Sequence, residues 1–448
     1  MRGKAWYVQQ ASGTGAIFSV TRTSWVAKSV ATLPPSTLTR KAGQLTSQVF
    51  QYEGVPAPIE LRTTYVLDGE VRTTEEHYLG RVDTPGDEKV VRREYHSGES
   101  PWVRDVACRE TVLEGDGVTV ASDTRKFYGD ASADVRGFGD VGNGWVRLVE
   151  GWVAYKDVPA RWVAQASFRY DEHGSVISKT EQGVTRNMGF DALALFPLTE
   201  TIQDTQPTLT WTATWDQVRG AISTLTDPNG DVSGVGYDEV GRPETMSLNG
   251  ACPHVRYAYD WTVAPPKTTT WVFDGSATDL AAECSTWPAG AHWRSTTAVT
   301  NGSGEPLFAT TPLGNQFVVS GWKERDERGQ VVRTAEPFYA ATAAPAAPAS
   351  DARIEVTEFD SQGRIRRQVF PNSAIKTISY RALGQTVNNP ELGPVLTDTD
   401  GLSRVVRTQR QSSVLEVMAA RYDAAGRITE IELQDSAAVH RFEYDTLG

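Results

Sequence analysis

Aspartates are the residues of this sequence best placed to do chemistry, and several stand close enough in the chain to pair their carboxylates. Asp227 with Asp238, or Asp398 with Asp400, would suit a glycosidase, in which one carboxyl protonates the leaving oxygen and the other attacks or activates water. The competing reading is local. An Asp that opens a turn accepts hydrogen bonds from backbone N–H groups a few residues on. The same Asp recurs where no cleft would repeat, so the turn reading is preferred and no catalytic residue is assigned. No GxSxG elbow accompanies the serines and histidines. His77, His96, His173, His254, His292 and His440 form no metal-binding pair, and Cys108, Cys252 and Cys284 lack CxxC spacing. The thiols are therefore read as small buried hydrophobes, not as a disulfide framework. The acidic turns follow neither EF-hand nor RTX spacing, so no cofactor or metal is expected. Trp211, Trp215, Trp261 and Trp271 would stack on sugars if exposed; strand packing is the plainer reading.

The aspartates belong to a repeat. Tyr170-Asp171-Glu172-His173-Gly174 returns as Tyr237-Asp238-Glu239-Val240-Gly241-Arg242, as Phe359-Asp360-Ser361-Gln362-Gly363-Arg364 and as Tyr422-Asp423-Ala424-Ala425-Gly426-Arg427. Tyr444-Asp445-Thr446-Leu447-Gly448 is the same unit, and looser copies stand at Asp191, Asp216, Asp260, Asp326 and Tyr380-Arg381 with Gly384. The step from Asp216 to Asp238, to Asp260, and from Asp423 to Asp445 is 22 residues. Glycine three residues after the Asp ends the turn at positive φ without a Cβ clash. On either side, residues alternate: Phe168 and Tyr170, Tyr257 and Tyr259, Phe442 and Tyr444 each share one strand face. A second set of turns, such as Asp227-Pro228-Asn229-Gly230, falls between the first. Strand, turn and strand at this period predict an all-β array of tandem hairpins that gain stability by stacking on their neighbours.

Composition agrees. The 448 residues include 39 Gly, 23 Pro, 13 Trp and 15 Tyr but only 4 Met, the balance of short strands and tight turns. A net charge of −12 disfavours binding to nucleic acid. No stretch approaches the roughly 18 apolar residues of a membrane helix, and the start, MRGKAWYVQQASGTGAIFSV, shows no signal peptide.

The Tyr-Asp-x-x-Gly-Arg units resemble the YD repeats of RHS proteins, teneurins and the B/C components of bacterial insecticidal toxin complexes, most closely the repeat region of the B component. The likeness is strongest over 161–448, the expected repeat array. Upstream, Lys126-Phe127-Tyr128-Gly129-Asp130 and Gly139-Asp140-Val141-Gly142-Asn143-Gly144 are similar to the segment that leads into the repeats of that component, within an expected β-rich region at 56–160. Phe317-Val318-Val319-Ser320-Gly321 and Glu336-Pro337-Phe338-Tyr339-Ala340 also resemble the family. Residues 1–55, broken at Pro34-Pro35, carry no clear element, and 340–352 reads as an exposed Pro/Ala-rich loop. The resemblance implies a spiralling β-sheet strip that closes a hollow cocoon, here a partial one, around a C-terminal toxin polypeptide or C-component partner. It also implies a non-enzymatic protein that is secreted or at the cell surface. The array reads as truncated at Gly448, without the family's terminal core region and self-cleaving aspartate pair. The alternative is a surface module that binds carbohydrate or a partner cell.

Overall fold

The computed structural model describes the chain except residues 1–3, 32–37, 54, 98–102, 104, 130–134, 157, 204–205, 251, 289, 412–414, 434–437 and 448. The described residues form 34 strands and one helix. The strands make two antiparallel ladders, of 23 and 11 strands. Within each, a strand pairs with the strands before and after it in sequence, as in Leu209–Asp216 against Ala221–Thr226 and Val232–Tyr237 against Pro243–Leu248. The all-β hairpin array expected from the repeat is therefore the observed fold. Alternating side chains drive it: in Leu209–Asp216, Leu209, Trp211, Ala213 and Trp215 are half-buried, while Thr210, Thr212 and Thr214 are exposed.

The chain divides into two compact units. The first comprises residues 1–183 and 376–448. Residues 1–55, expected to be poorly defined, carry strands Tyr7–Ala11, Ile17–Ala31 and Leu38–Gln51 instead, the last two paired along a long hairpin. Their Thr, Ser and Val suit an extended pairing surface even without a marked apolar face. The lead-in blocks build a small core, in which Cys108, Tyr128 and Val141 are buried together. Burial pushes the Cys108 thiol up to about 11 and the Tyr128 hydroxyl up to about 12.

The second unit spans 184–375. Its main core joins Val299, Phe308, Val319, Trp322, Ala335 and Phe338. The two family-like blocks meet there, because Gln316–Ser320 pairs with Phe338–Ala340. After Phe338–Ala340 the chain crosses between ladders, and Ile354–Phe359 pairs with Val331–Ala335. The Pro/Ala-rich loop is that crossover. It is only partly exposed, since Ala349 and Ala352 pack on the core. A second cluster corrects the cysteine reading: Cys252 and Cys284 form a disulfide, with Cα atoms 5.8 Å apart. Beside it, Phe273, Leu280 and Trp293 are buried, with Trp271 and Trp287 packed on them. Leu280 belongs to the helix Ala277–Glu283, which starts at a capping box between Ser276 and Asp279.

Candidate functional site

The turns are the chemically distinctive feature of this fold. At Asp171, Asp238, Asp360 and Asp423, Oδ1 accepts backbone N–H groups from residues two or four further on, at 2.8–3.1 Å. Gly174, Gly241, Gly363 and Gly426 hold φ between 82° and 89°, a region closed to most side chains. Arg242, Arg364 and Arg427 return Nε to Oδ2 of their own turn aspartate at 2.7–2.8 Å. Asp445 accepts from Leu447 N at 2.9 Å, while Gly448 lies outside the described residues.

Tyrosine and arginine then couple one hairpin to the next. Tyr170, Tyr237 and Tyr422 donate their hydroxyls to the carbonyls of Val146, Ile222 and Val405, one repeat upstream, at 2.7–2.8 Å. Phe359 lacks the hydroxyl. In the other direction, Arg427 donates to Asp445 O at 2.6 Å and lies 5.0 Å from the Tyr444 ring centroid. Arg242 likewise sits 4.2 Å over Tyr259. Each motif thus closes its own turn, and those with Arg242 and Arg427 also grip the next.

Two further copies escape the Tyr-Asp-x-x-Gly pattern. Asp68 accepts from Glu70 N and Arg72 N, and Asp400 accepts from Leu402 N and Arg404 N, at 2.9–3.0 Å. Their arginines return to the aspartate at 2.6 Å. Val71 and Ser403 stand where glycine is expected, at φ 63°. The signal that remains in sequence is Asp followed four residues later by Arg. Asp400 is therefore a turn residue, and its supposed catalytic partner Asp398 is held by Arg381.

The other proposed acid pair is engaged in the same way. Asp227 accepts from Asn229 N and Asp231 N at 2.8–2.9 Å, and Asp238 serves its own turn. The amide of Asp231 leads the hydrogen bonds that hold the Asp227 carboxyl below the usual carboxylate range. At Asp238 burial pushes upward, but the hydrogen bonds from Arg242 outweigh it and the carboxyl is again lowered. A general acid needs the opposite shift. Among the four tryptophans, Trp215 stacks on Phe196, and Trp271 packs edge-on against Trp287. Trp211 and Trp215 line an open cavity of about 340 Å³ with Met188, Leu198 and Leu225. Trp261 is 63% exposed.

In the first unit the turns also meet other loops. Hairpin alternation puts the repeat-motif turns of a ladder on one rim and the intervening bends on the other. Gly401 N donates to Asp87 Oδ2 at 2.5 Å, and Ala424 N donates to Glu114 at 3.1–3.2 Å. Arg427 donates to Ala121 O at 3.1 Å, and Thr446 bonds Trp152 O and Ala154 N. Three successive turns thus dock on three successive segments 292–314 residues upstream. Asp87 is only 5% exposed, and Arg81 N donates to the same carboxylate at 3.1–3.2 Å.

Three solved structures share this arrangement. The crystal structure of TcdB2-TccC3 matches with a TM-score of 0.77 and 12% identity over 97% of this chain and 29% of that one. TcdB2-TccC3 without its hypervariable C-terminal region matches with a TM-score of 0.78 and 11% identity, over 98% of this chain and 32% of that one. The Tc holotoxin pore of Photorhabdus luminescens gives 0.76 and 11%, over 97% and 31%. This chain has the RHS-type repeat fold of the toxin complexes. At such identity the likeness is one of fold, and the chain spans about a third of the RHS-type proteins it matches. No protein-family model and no curated protein matches the chain.

Proposed function

We propose that this chain is a non-catalytic shell segment of a toxin-complex protein, enclosing a C-terminal toxin polypeptide or a C-component partner for delivery. The observation that carries the reading is the match of nearly the whole chain to TcdB2-TccC3 lacking its hypervariable C-terminal region. What this chain resembles is thus a stretch, about a third in length, of the protein that lacks that region. In this reading 56–160 is the lead-in and 161–448 the repeat array. The turn aspartates favour a structural role, since each is committed to its own backbone. The Cys252–Cys284 disulfide favours an oxidising, secreted setting. Among the described residues, no helix is long and apolar enough to cross a membrane.

The test is protease protection. The chain is co-expressed with the polypeptide encoded beside it and digested with proteinase K, and that polypeptide is expected to outlast the same polypeptide digested alone. Equal digestion rates would remove the shell reading. Saturable glycan binding that disappears on Trp261→Ala would put the carbohydrate-binding reading in its place.

A further inference from the structure

One connection in the second unit is unlike the bends on either side of it. Lys267–Phe273 pairs with Trp293–Thr300 in unbroken register, from Lys267 opposite Val299 to Phe273 opposite Trp293, and Asp274 N adds a bond to His292 O at 3.0 Å. The hairpin is thus complete without residues 274–292 and would stay paired if they moved. That segment folds back toward Pro253–Asp260. It is held there by the Cys252–Cys284 bond, by Arg256, which donates to Cys284 O at 3.4 Å and lies 4.8 Å from the Trp287 ring centroid, and by Trp287 packed edge-on against Trp271.

Closed, the segment covers Phe273 and Trp293, which are 8 and 7% exposed, with its own Leu280 at 6%. Apolar burial favours this state. Against it stand Nε of Arg256 and Nε1 of Trp287 and Trp293, which are buried without a hydrogen-bond acceptor among the described residues. Each such donor costs free energy. The helix Ala277–Glu283 has seven residues, too few to persist alone in water. Its capping box and the Glu283–His292 pair at 2.7 Å lie inside the segment and do not fasten it to the sheet. All of these contacts fall within residues 252–293, and none depends on what covers the rest of the sheet.

We propose that Cys252–Cys284 is a redox latch: a dithiol reductant opens it, and residues 274–292 then leave the sheet and uncover Trp271, Phe273 and Trp293 while the ladder stays paired. A thiolate of the reductant attacks one cysteine sulfur, and the other leaves as a thiolate that takes a proton. The second thiol of the reductant then displaces the first cysteine. Two electrons and two protons pass to the cysteines, and the reductant ends as a cyclic disulfide. Both cysteines are half-buried, so the bond is not sealed inside a core. The signal that the latch answers is passage from an oxidising to a reducing medium.

Endoproteinase Glu-C tests this on the whole chain, because Glu283 is the one glutamate in 274–292. With dithiothreitol, the native chain is expected to be cut at Glu283 at least about tenfold faster, as for a segment opened locally, with its far-ultraviolet circular dichroism unchanged. Mass spectrometry of the fragments gives the rate at that site. Iodoacetamide should then label Cys252 and Cys284 but not Cys108, which is buried in the first unit. The double variant Cys252→Ser with Cys284→Ser should be cut fast with or without dithiothreitol; if it does not fold, the native chain decides alone. The latch is overturned if Cys252 and Cys284 stay unlabelled in dithiothreitol, or if they are labelled without faster cutting at Glu283. Faster cutting accompanied by loss of the β signal or by labelling of Cys108 overturns it too, since the opening is then not local. A folded serine variant as resistant as the oxidised native chain does the same.

Discussion

Four positions divide the labour in the full motif, as at Tyr237-Asp238-Glu239-Val240-Gly241-Arg242, and their contributions separate cleanly. The aspartate satisfies backbone donors that a two-strand bend leaves open, the fourth position absorbs positive φ, and tyrosine and arginine reach to adjacent repeats. Where serine replaces glycine, at exposed Ser403, the left-handed backbone costs free energy that no contact of its side chain offsets. Ser403→Gly is expected to raise stability by about 0.5–1 kcal/mol, the relief of strain exceeding the added chain entropy; the urea midpoint is the measurement. Arg427 makes more contacts than a lysine would. Its guanidinium joins Asp423, Asp445 O and Ala121 O at once, so Arg427→Lys should cost about 2 kcal/mol. Arg219→Lys, on an exposed turn, should cost less than about 0.5 kcal/mol by the same assay. Because each motif closes within five residues, its turns were legible in sequence. The turn at Asp68 was legible as Asp68-Gly69, but neither it nor the one at Asp400 reads as a copy of the motif, since Val71 and Ser403 stand in place of glycine.

At the scale of elements, the array is a chain of nearest-neighbour couplings, broken by the crossover between ladders and carrying one tied loop. The strands Pro253–Asp260 and Lys267–Phe273 form a hairpin, so Cys252 and the segment after Phe273 emerge at the same rim. That is why two cysteines 32 residues apart can pair, and why their spacing carried no recognisable signal. Replacing both by serine should cost about 3–4 kcal/mol through the freed loop, seen as a lower unfolding midpoint, and dithiothreitol should reproduce the loss in the native chain but not in the variant. Cys108 is expected to resist iodoacetamide until the protein unfolds, because burial holds it as the thiol.

Over the whole molecule, the docked seam of the first unit is the feature most exposed to solution conditions. Burial pushes Asp87 and Glu114 above the usual carboxylate range; the amides of Gly401 and Ala424 oppose this, and the charges of Asp400 and Asp423 reinforce it. A folded value above the unfolded one means that the contribution to stability is complete below the unfolded value, about 4, and is lost as pH rises through the folded value. Amide exchange at Gly401 and Ala424, corrected for its intrinsic rate, should therefore be slowest on the acid side and speed up as pH rises. Asp87→Asn should flatten that dependence at Gly401 alone; an unchanged slope would show that the carboxylate does not govern the seam.

The residue sequence by itself determined the all-β class, the period of the hairpins and the face each side chain takes. Those follow from hydrogen bonds and alternation within a few residues of each other. Which turn meets which loop across some 300 residues, which cysteines join, and where the chain changes ladders were decided only in three dimensions. These depend on twist and curvature summed over many strands, each too small a contribution for any local pattern to record.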